Sequence, residues 1–387
     1  MLNKEIYIIF HGPFPKGNVS TLRVLSYAKA LVNKGYQVTV FIPSPTKDAS
    51  VNDSAIGYFE GVKYNYVIGI TWKNKVNLLI KLIYYIIGLI KISYKIIKNR
   101  PQFVLLYDSE IIRNFIFSIL SKIMSIKLVM DITEYPKGFK NHGKFRKKLE
   151  KFSLFGFNKL ITITNELCLF YNSWLNVQSF LLPVTIDPKR FDFSNELEVE
   201  PYILCLFGTH NRDSIIDTIL GYVKYNELTS SPLKLYMVGD IEKLCELYQE
   251  NKKIFEILEK EKIEENVKFL GVIKSDNIPK LLKKSMCLIT TPREFVSGGF
   301  PTKLGEYLLS GRPVIATKVG ELSSYLTDNK NVFFVSPNDS TGLGKKIHYV
   351  ENNPFKSNLI ANNGKELALK VFNANYYIND LIKYVEN

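Results

Sequence analysis

Lys303 and Glu306 stand three residues apart, directly behind a loop that reads Gly298-Gly299-Phe300-Pro301-Thr302. A lysine offers a point charge to an anion. A carboxylate one helical turn later offers two acceptors for hydroxyl groups. The residues before the loop, 286–292, form a strand-like apolar run. The spacing predicts a helix over 303–310, with Thr302 as its N-cap and Gly311 as its stop. Backbone N–H groups of a glycine-rich loop approach anions closely, and a helix N-terminus favours negative charge. A lysine at that end opposes the helix dipole by about 0.3–1 kcal/mol, which a bound anion would offset. Phosphate beside Lys303 and a diol beside Glu306 describe the ribose–diphosphate part of a nucleotide. The plainer alternative is a strand-to-helix turn with a solvated lysine and a surface glutamate.

Positioning such a loop takes a parallel sheet with helices between its strands. The chain has 387 residues, more than one ordinary core accommodates, and 46% of them are hydrophobic. Apolar runs at 5–10, 36–43, 103–108, 127–132 and 159–164 read as buried parallel strands, with helical periodicity after Ser20. Two prolines interrupt the pattern at 181–191. A second alternation follows, with strands expected near 201–208, 233–240, 266–271, 286–292, 312–317 and 331–337. The expected fold class is α/β, two Rossmann-like doubly wound domains facing across a cleft. The expected division is 1–190, completed by a C-terminal helix at 374–387, and 191–373.

The segment FPTKLGEYLLSGRPVIAT resembles the nucleotide-sugar signature of the retaining family 4 glycosyltransferases, which have the GT-B fold. The resemblance runs along most of the chain: PFPKGNVSTLRVLSYAKALVNKGYQVTVF, LPVTIDPKRF, LFGTHNRDSIIDTILGY and VKFLGVIKSDNIPKLLKKSMCLITTP follow in the family's order. It implies a nucleoside diphosphate sugar as donor and no further cofactor. The implied donor-binding residues are Gly17, Asn18, Gly208, Arg212, Gly299, Phe300, Pro301, Thr302, Lys303 and Glu306. The family commonly carries two glutamates eight positions apart. Glu306 matches the second, but Gly298 stands at the first, as in a subset with the pattern F-P-T-K-x-x-E-Y. The usual Gly-Arg is Gly208-Thr209 here, and Arg212 takes the place of the family's lysine. Arg212 and Lys303 would then stabilise the departing diphosphate.

MDITEYPKG at 130–138 places Asp131 and Glu134 after a strand, where a carboxylate would orient an acceptor hydroxyl or simply cap the next segment. His11 reads as a packed residue at a strand end. The four cysteines, Cys168, Cys205, Cys245 and Cys287, are far apart and read as small buried hydrophobes in a reducing compartment. There is no D-x-D pair and no Cys/His cluster, so no metal is expected. No G-x-G-x-x-G follows the first strand, which argues against a nicotinamide enzyme. An epimerase of the same fold and a binding or scaffold protein without chemistry stay open beside the transferase.

Charge is distributed unevenly. Residues 1–190 hold 27 Lys and Arg against 11 Asp and Glu, a surplus of 16, whereas 191–387 hold 24 against 26. The stretch 74–100 is apolar with Lys81, Lys91, Lys95 and Lys98 on one side of a helical wheel, and 136–151 carries seven basic residues with Phe139 and Phe145 interleaved. The first reads either as a core-packed helix of the domain or as one lying in a membrane interface. An anionic bilayer fits the basic half, while nucleic acid lacks an accompanying module. With no charged leader before the first strand, the expected location is cytoplasmic, at the inner face of the membrane, with a lipid-linked saccharide as acceptor in surface polysaccharide synthesis.

Overall fold

The computed structural model describes residues 4–46, 54–72, 77–136, 143–193, 197–293 and 298–387. The chain divides into two compact units: one made of Met1–Ile186, Ser297–Gly299 and Asn373–Asn387, the other of Asp187–Val296 and Phe300–Phe372.

The first unit is built on an eight-stranded sheet. Its strands are β1 (Glu5–Ile9), β2 (Gln37–Ile42), β3 (Ile56–Phe59), β4 (Val62–Tyr66), β5 (Phe103–Tyr107), β6 (Leu128–Ile132), β7 (Lys159–Thr162) and β8 (Ser179–Leu181). Their order is β3-β4-β2-β1-β5-β6-β7-β8, parallel except for the β3–β4 hairpin. The hairpin was not anticipated from the sequence; Glu60 and Gly61, both at positive φ, make its turn. Helix α1 (Val19–Asn33) joins β1 to β2, whereas α2 (Leu78–Asn99), α3 (Ile111–Met124) and the helix Lys144–Ser153 join strands running the other way along the sheet. Right-handed crossovers therefore put α1 on one face and the other three helices on the opposite face. On the α1 face the C-terminal helix Ala374–Glu386 packs through Ile378, Leu381 and Val385 into a core with Val24, Leu31, Ile6 and Ile8.

The second unit has a six-stranded, wholly parallel sheet. Its strands are β9 (Tyr202–Leu206), β10 (Lys234–Val238), β11 (Val267–Phe269), β12 (Cys287–Thr290), β13 (Val314–Thr317) and β14 (Phe333–Val335), in the order β11-β10-β9-β12-β13-β14. The order reverses between β9 and β12, the switch point where an open α/β sheet leaves room for a ligand at its carboxyl edge. The helices Ile215–Asn226 and Lys303–Leu309 begin there, after β9 and β12 respectively.

Candidate functional site

The loop after β9 and the loop before Lys303 are fastened to each other by the backbone. Ser214 N–H donates to Thr291 O at 2.8 Å, Arg293 N–H donates to Arg212 O at 2.9 Å, and Asp213 forms an antiparallel bridge with Pro292. The Thr218 and Thr291 hydroxyls meet at 2.8 Å below them. Arg212 thus projects from a pinned backbone, with its side chain at the surface. Gly208 has open space where a side chain would stand.

Helix Lys303–Leu309 is tied to the end of β9 by two residues one turn apart. Lys303 Nζ donates to Leu206 O at 2.6 Å, and Leu206 N–H donates to Tyr307 Oη at 2.7 Å. Both polar groups of the last β9 residue are thereby satisfied. Lys303 Nζ also lies 2.6 Å from Asp213 Oδ2. Lys303 is therefore not the solvated lysine of the plainer alternative: its charge is met by Asp213, and two of its three protons are committed. The ion pair reaches the strand beneath, where burial pushes the Cys205 thiol up to about 12, with Lys303 pulling it down and Asp213 adding to the rise.

Glu306 is also engaged. Its Oε1 accepts from Arg190 Nε at 2.8 Å, and Arg190 Nη2 donates to Ser275 O at 2.9 Å. Both side chains are largely covered, 13% and 16% exposed. The Arg190 contact is made through one carboxylate oxygen of Glu306, Oε1. Together Arg190, Glu306, Lys303, Asp213 and Arg212 carry three positive and two negative charges, a surplus of one.

The loop residues before Lys303 differ from expectation. Phe300 is buried, packed against Tyr325 and Phe372 with ring centroids 5.7 and 5.8 Å apart. Its side chain therefore anchors the loop, and Pro301 beside it is buried as well. Thr302 sits at the N-cap position but its side chain makes no capping bond. The helix ends at Leu309, and Gly311 follows at φ +71°. Gly299 is partly exposed.

In the first unit, Gly298 has φ +69°, and its carbonyl accepts from Thr164 Oγ1 at 2.6 Å. A side-chain carbon there would lie 2.7 Å from Leu167 Cδ2 and 2.9 Å from the Tyr135 ring. The local structure thus has no space for a side chain at this position, and the left-handed backbone favours glycine.

The Gly12–Asn18 loop is held by its own unit. The Tyr66 hydroxyl bonds both Phe14 N–H and Phe14 O at 2.9 Å, and Thr21 Oγ1 donates to Pro13 O at 2.7 Å. A carbon on Gly17 would meet Pro13 and Thr21 at 2.5 and 2.6 Å, so this glycine serves the loop's own packing. Asn18 caps α1, accepting from Thr21 N–H at 3.3 Å and Ser20 Oγ at 2.6 Å. The His11 ring stands edge-on to Tyr85 at 5.1 Å.

Asp131 is the clearest correction. It is 0% exposed, and both its oxygens accept from Arg23 at 2.9 Å. Arg23 also donates to the carbonyls of Leu182 and Pro183. Burial works against the Arg23 charge, yet Asp131 outweighs it and holds the guanidinium above its ordinary range. A carboxylate so enclosed reaches no acceptor; it joins α1 to the chain beyond β8. Glu134 is different. It lines a cavity of about 120 Å³ at the carboxyl ends of β5 and β6, with Asp108, Glu110, Arg146, Glu150 and Tyr171. Arg146 and Glu150 pair at 3.4 Å across its wall. Burial, then Asp108, pushes the Tyr171 phenol far up, so it stays a hydrogen-bonding hydroxyl.

Arg190 and Asp213 are the site residues that sequence reading missed. Arg190 lies 116 residues from its partner Glu306, and nothing local marks either residue as one half of an ion pair. Phe139 lies outside the described residues. Among those described, no group of three His, Cys, Asp or Glu side chains is placed to hold a metal ion.

Residues 188–367, most of the second unit, match the family described as Glycosyl transferases group 1. A stretch of 105 residues is 30% identical to an uncharacterized glycosyltransferase of Methanocaldococcus jannaschii and spans 27% of this chain and 29% of that protein. Among solved structures, sucrose-phosphate synthase from Thermosynechococcus elongatus superposes with a TM-score of 0.72 at 16% identity, over 99% of both chains. Anabaena HepE in complex with UDP-glucose superposes with a TM-score of 0.67 at 15% identity, also over 99% of both. At such identities these likenesses establish the fold, two Rossmann-like α/β domains.

Proposed function

We propose that this protein transfers a sugar from a nucleoside diphosphate sugar to a saccharide acceptor. The observation that carries this reading is the pair of ion pairs, Lys303–Asp213 and Arg190–Glu306, at the switch point of the domain that matches the group 1 family. In this reading the other oxygen of Glu306 accepts a ribose hydroxyl while Arg190 fixes the carboxylate. Arg212 and the remaining N–H of Lys303 meet the diphosphate, whose negative charge grows as the anomeric carbon gains oxocarbenium character. Fixed donors aimed at that charge lower the barrier without reorganising. Gly299, Thr302 and Gly208 line the approach, and Glu134, with the other carboxylates of its cavity wall, receives the hydroxyls of the acceptor.

The finer reading keeps retention of configuration, membership of family 4 in the F-P-T-K-x-x-E-Y subset, a lipid-linked acceptor and a place in surface polysaccharide synthesis. The basic first unit would meet the anionic face of the membrane. Among the described residues no helix is long and apolar enough to cross a bilayer, so the contact is peripheral in this reading. Gly298 favours a second reading, a binding protein without transfer activity, because the site lacks the acid found near the donor sugar in relatives. Thermal unfolding with UDP, GDP, ADP and CMP at equal concentration separates the two, since a ligand of the folded state raises stability. One nucleoside diphosphate should stabilise wild type and fail to stabilise Glu306→Ala. No shift with any of them would overturn the donor site.

A further inference from the structure

Helix α2 carries apolar residues on the side turned away from its own core. Leu89, Ile92 and Ile96 are buried against the sheet. Leu79, Ile83, Ile87, Ile90, Tyr94 and Ile97 recur every three or four residues on the other side, and all are exposed. Ile90 is 62% exposed. The lysines flank this stripe on the side that the helical wheel gives them. Lys91 Nζ reaches back to Val67 O at 3.1 Å, and Lys95 lies over the Phe41 ring. Both leave the apolar stripe outermost.

The neighbouring helices extend this surface. Helix α3 packs beside α2 and presents Ile112, Ile119 and Ile123, the last 73% exposed. Helix Lys144–Ser153 packs beside α3 through Phe115 and Phe152, centroids 5.6 Å apart, and exposes Phe145 at 79%. Neither α2 nor α3 contains an Asp or Glu. Lys98, Lys122, Lys144 and Lys148 stand exposed among the apolar residues. An exposed apolar surface of this kind marks an interaction site.

We propose that the helices α2, α3 and Lys144–Ser153 form a single face that inserts its isoleucines and phenylalanines into an anionic lipid surface. The proposal rests on the membrane contact suggested above and gives it a mechanism: apolar insertion, with lysines at headgroup level. Charge decides the occupant. Two copies of this face would bring lysine against lysine with no acid on α2 or α3 to compensate, whereas anionic headgroups complement it. The apolar stripe and basic rim match the pattern of helices lying in the interface plane.

The test uses the full chain with Ile90→Cys carrying an environment-sensitive fluorophore; the four native cysteines are buried. Phe355→Cys, in the second unit, is the control position. Vesicles of phosphatidylcholine with phosphatidylglycerol should blue-shift the label at 90 and leave that at 355 unchanged. The shift should persist in 1 M NaCl, where the Debye length is about 3 Å. Ile83→Asp and Ile90→Asp should each lower vesicle partitioning at least about tenfold, with circular dichroism checking that they fold. Binding that vanishes in salt with no blue shift would overturn insertion yet keep a purely electrostatic membrane contact. Absence of binding to any vesicle would overturn both. A blue shift without lipid, accompanied by a dimer in sedimentation velocity, would make a second copy the occupant and overturn the proposal.

Discussion

Arg190→Ala tests whether an ion pair positions Glu306 or merely occupies it. Arg190 donates to Glu306 Oε1 at 2.8 Å and to Ser275 O at 2.9 Å, and the pair is about one-seventh exposed. A hydrogen bond between charged groups contributes about 1.5–3 kcal/mol. If that energy holds the carboxylate ready for a diol, its loss appears in affinity. About 1.4 kcal/mol is tenfold, so nucleoside diphosphate binding should weaken about ten- to a hundredfold in Arg190→Ala. Isothermal titration of wild type, Arg190→Ala, Glu306→Ala and the double variant completes a cycle. The double variant should bind no worse than Glu306→Ala, because both substitutions disable one device. Tighter binding in Arg190→Ala would mean that arginine and ribose compete for the same oxygen. Fully additive losses would mean that the two residues act independently. Either result refutes positioning.

Three further outcomes are expected. Asp131→Asn leaves the buried Arg23 charge without its carboxylate and should destabilise the protein by about 3–5 kcal/mol, read by denaturant unfolding; a stable protein with reduced turnover would return Asp131 to the acceptor. Gly298→Glu must take a left-handed backbone and displace Leu167 and Tyr135, so it should lower the melting temperature rather than raise activity, whereas a stable, faster variant would refute the steric account. Burial raises the phenols of Tyr7 and Tyr384 to about 12 from 10.0. Their contribution is complete below pH 10 and is lost as the pH rises towards 12, because the unfolded chain ionises first. Unfolding free energy should therefore fall above pH 10 by about 1.4 kcal/mol per pH unit for each such tyrosine; a flat profile to pH 12 would contradict it.

The strands of both sheets were legible because parallel strands covered on both faces are written as unbroken apolar runs, as in β1 and β5. The β3–β4 hairpin was not, since Tyr58, Lys63 and Asn65 break such a run and Glu60-Gly61 is a weak turn signal. Lys303 and Glu306 could be picked out by their loop and helix setting, and Arg212 only through the family resemblance. Their counter-charges could not, because Asp213 and Arg190 meet them only through the pairing of distant strands. Asp131 misled for the same reason: Arg23, 108 residues away, gives it a structural partner that no local pattern records. The α2 lysines lie on the side the wheel gives them, beside the apolar stripe. A wheel assigns directions to Cβ atoms, but a long stem can carry its ammonium sideways, as Lys91 does to Val67 O.

Helix Ala374–Glu386 belongs to the first unit although it follows the second in sequence, and this orders the first unit's birth on the ribosome. The strands from β1 to β8 emerge early, but Ile378, Leu381 and Val385, which share a core with α1, emerge only after the whole second unit. At roughly 5–20 residues per second, the 387 − 186 = 201 residues that follow the first segment take about 10–40 s to synthesise. Throughout that interval the nascent sheet holds an apolar flank open to water and to chaperones. The second unit, by contrast, has all its strands before its final helix and can close while the chain is still growing. A chain cut just before Ala374 would keep the second unit whole and leave the first one without its cover.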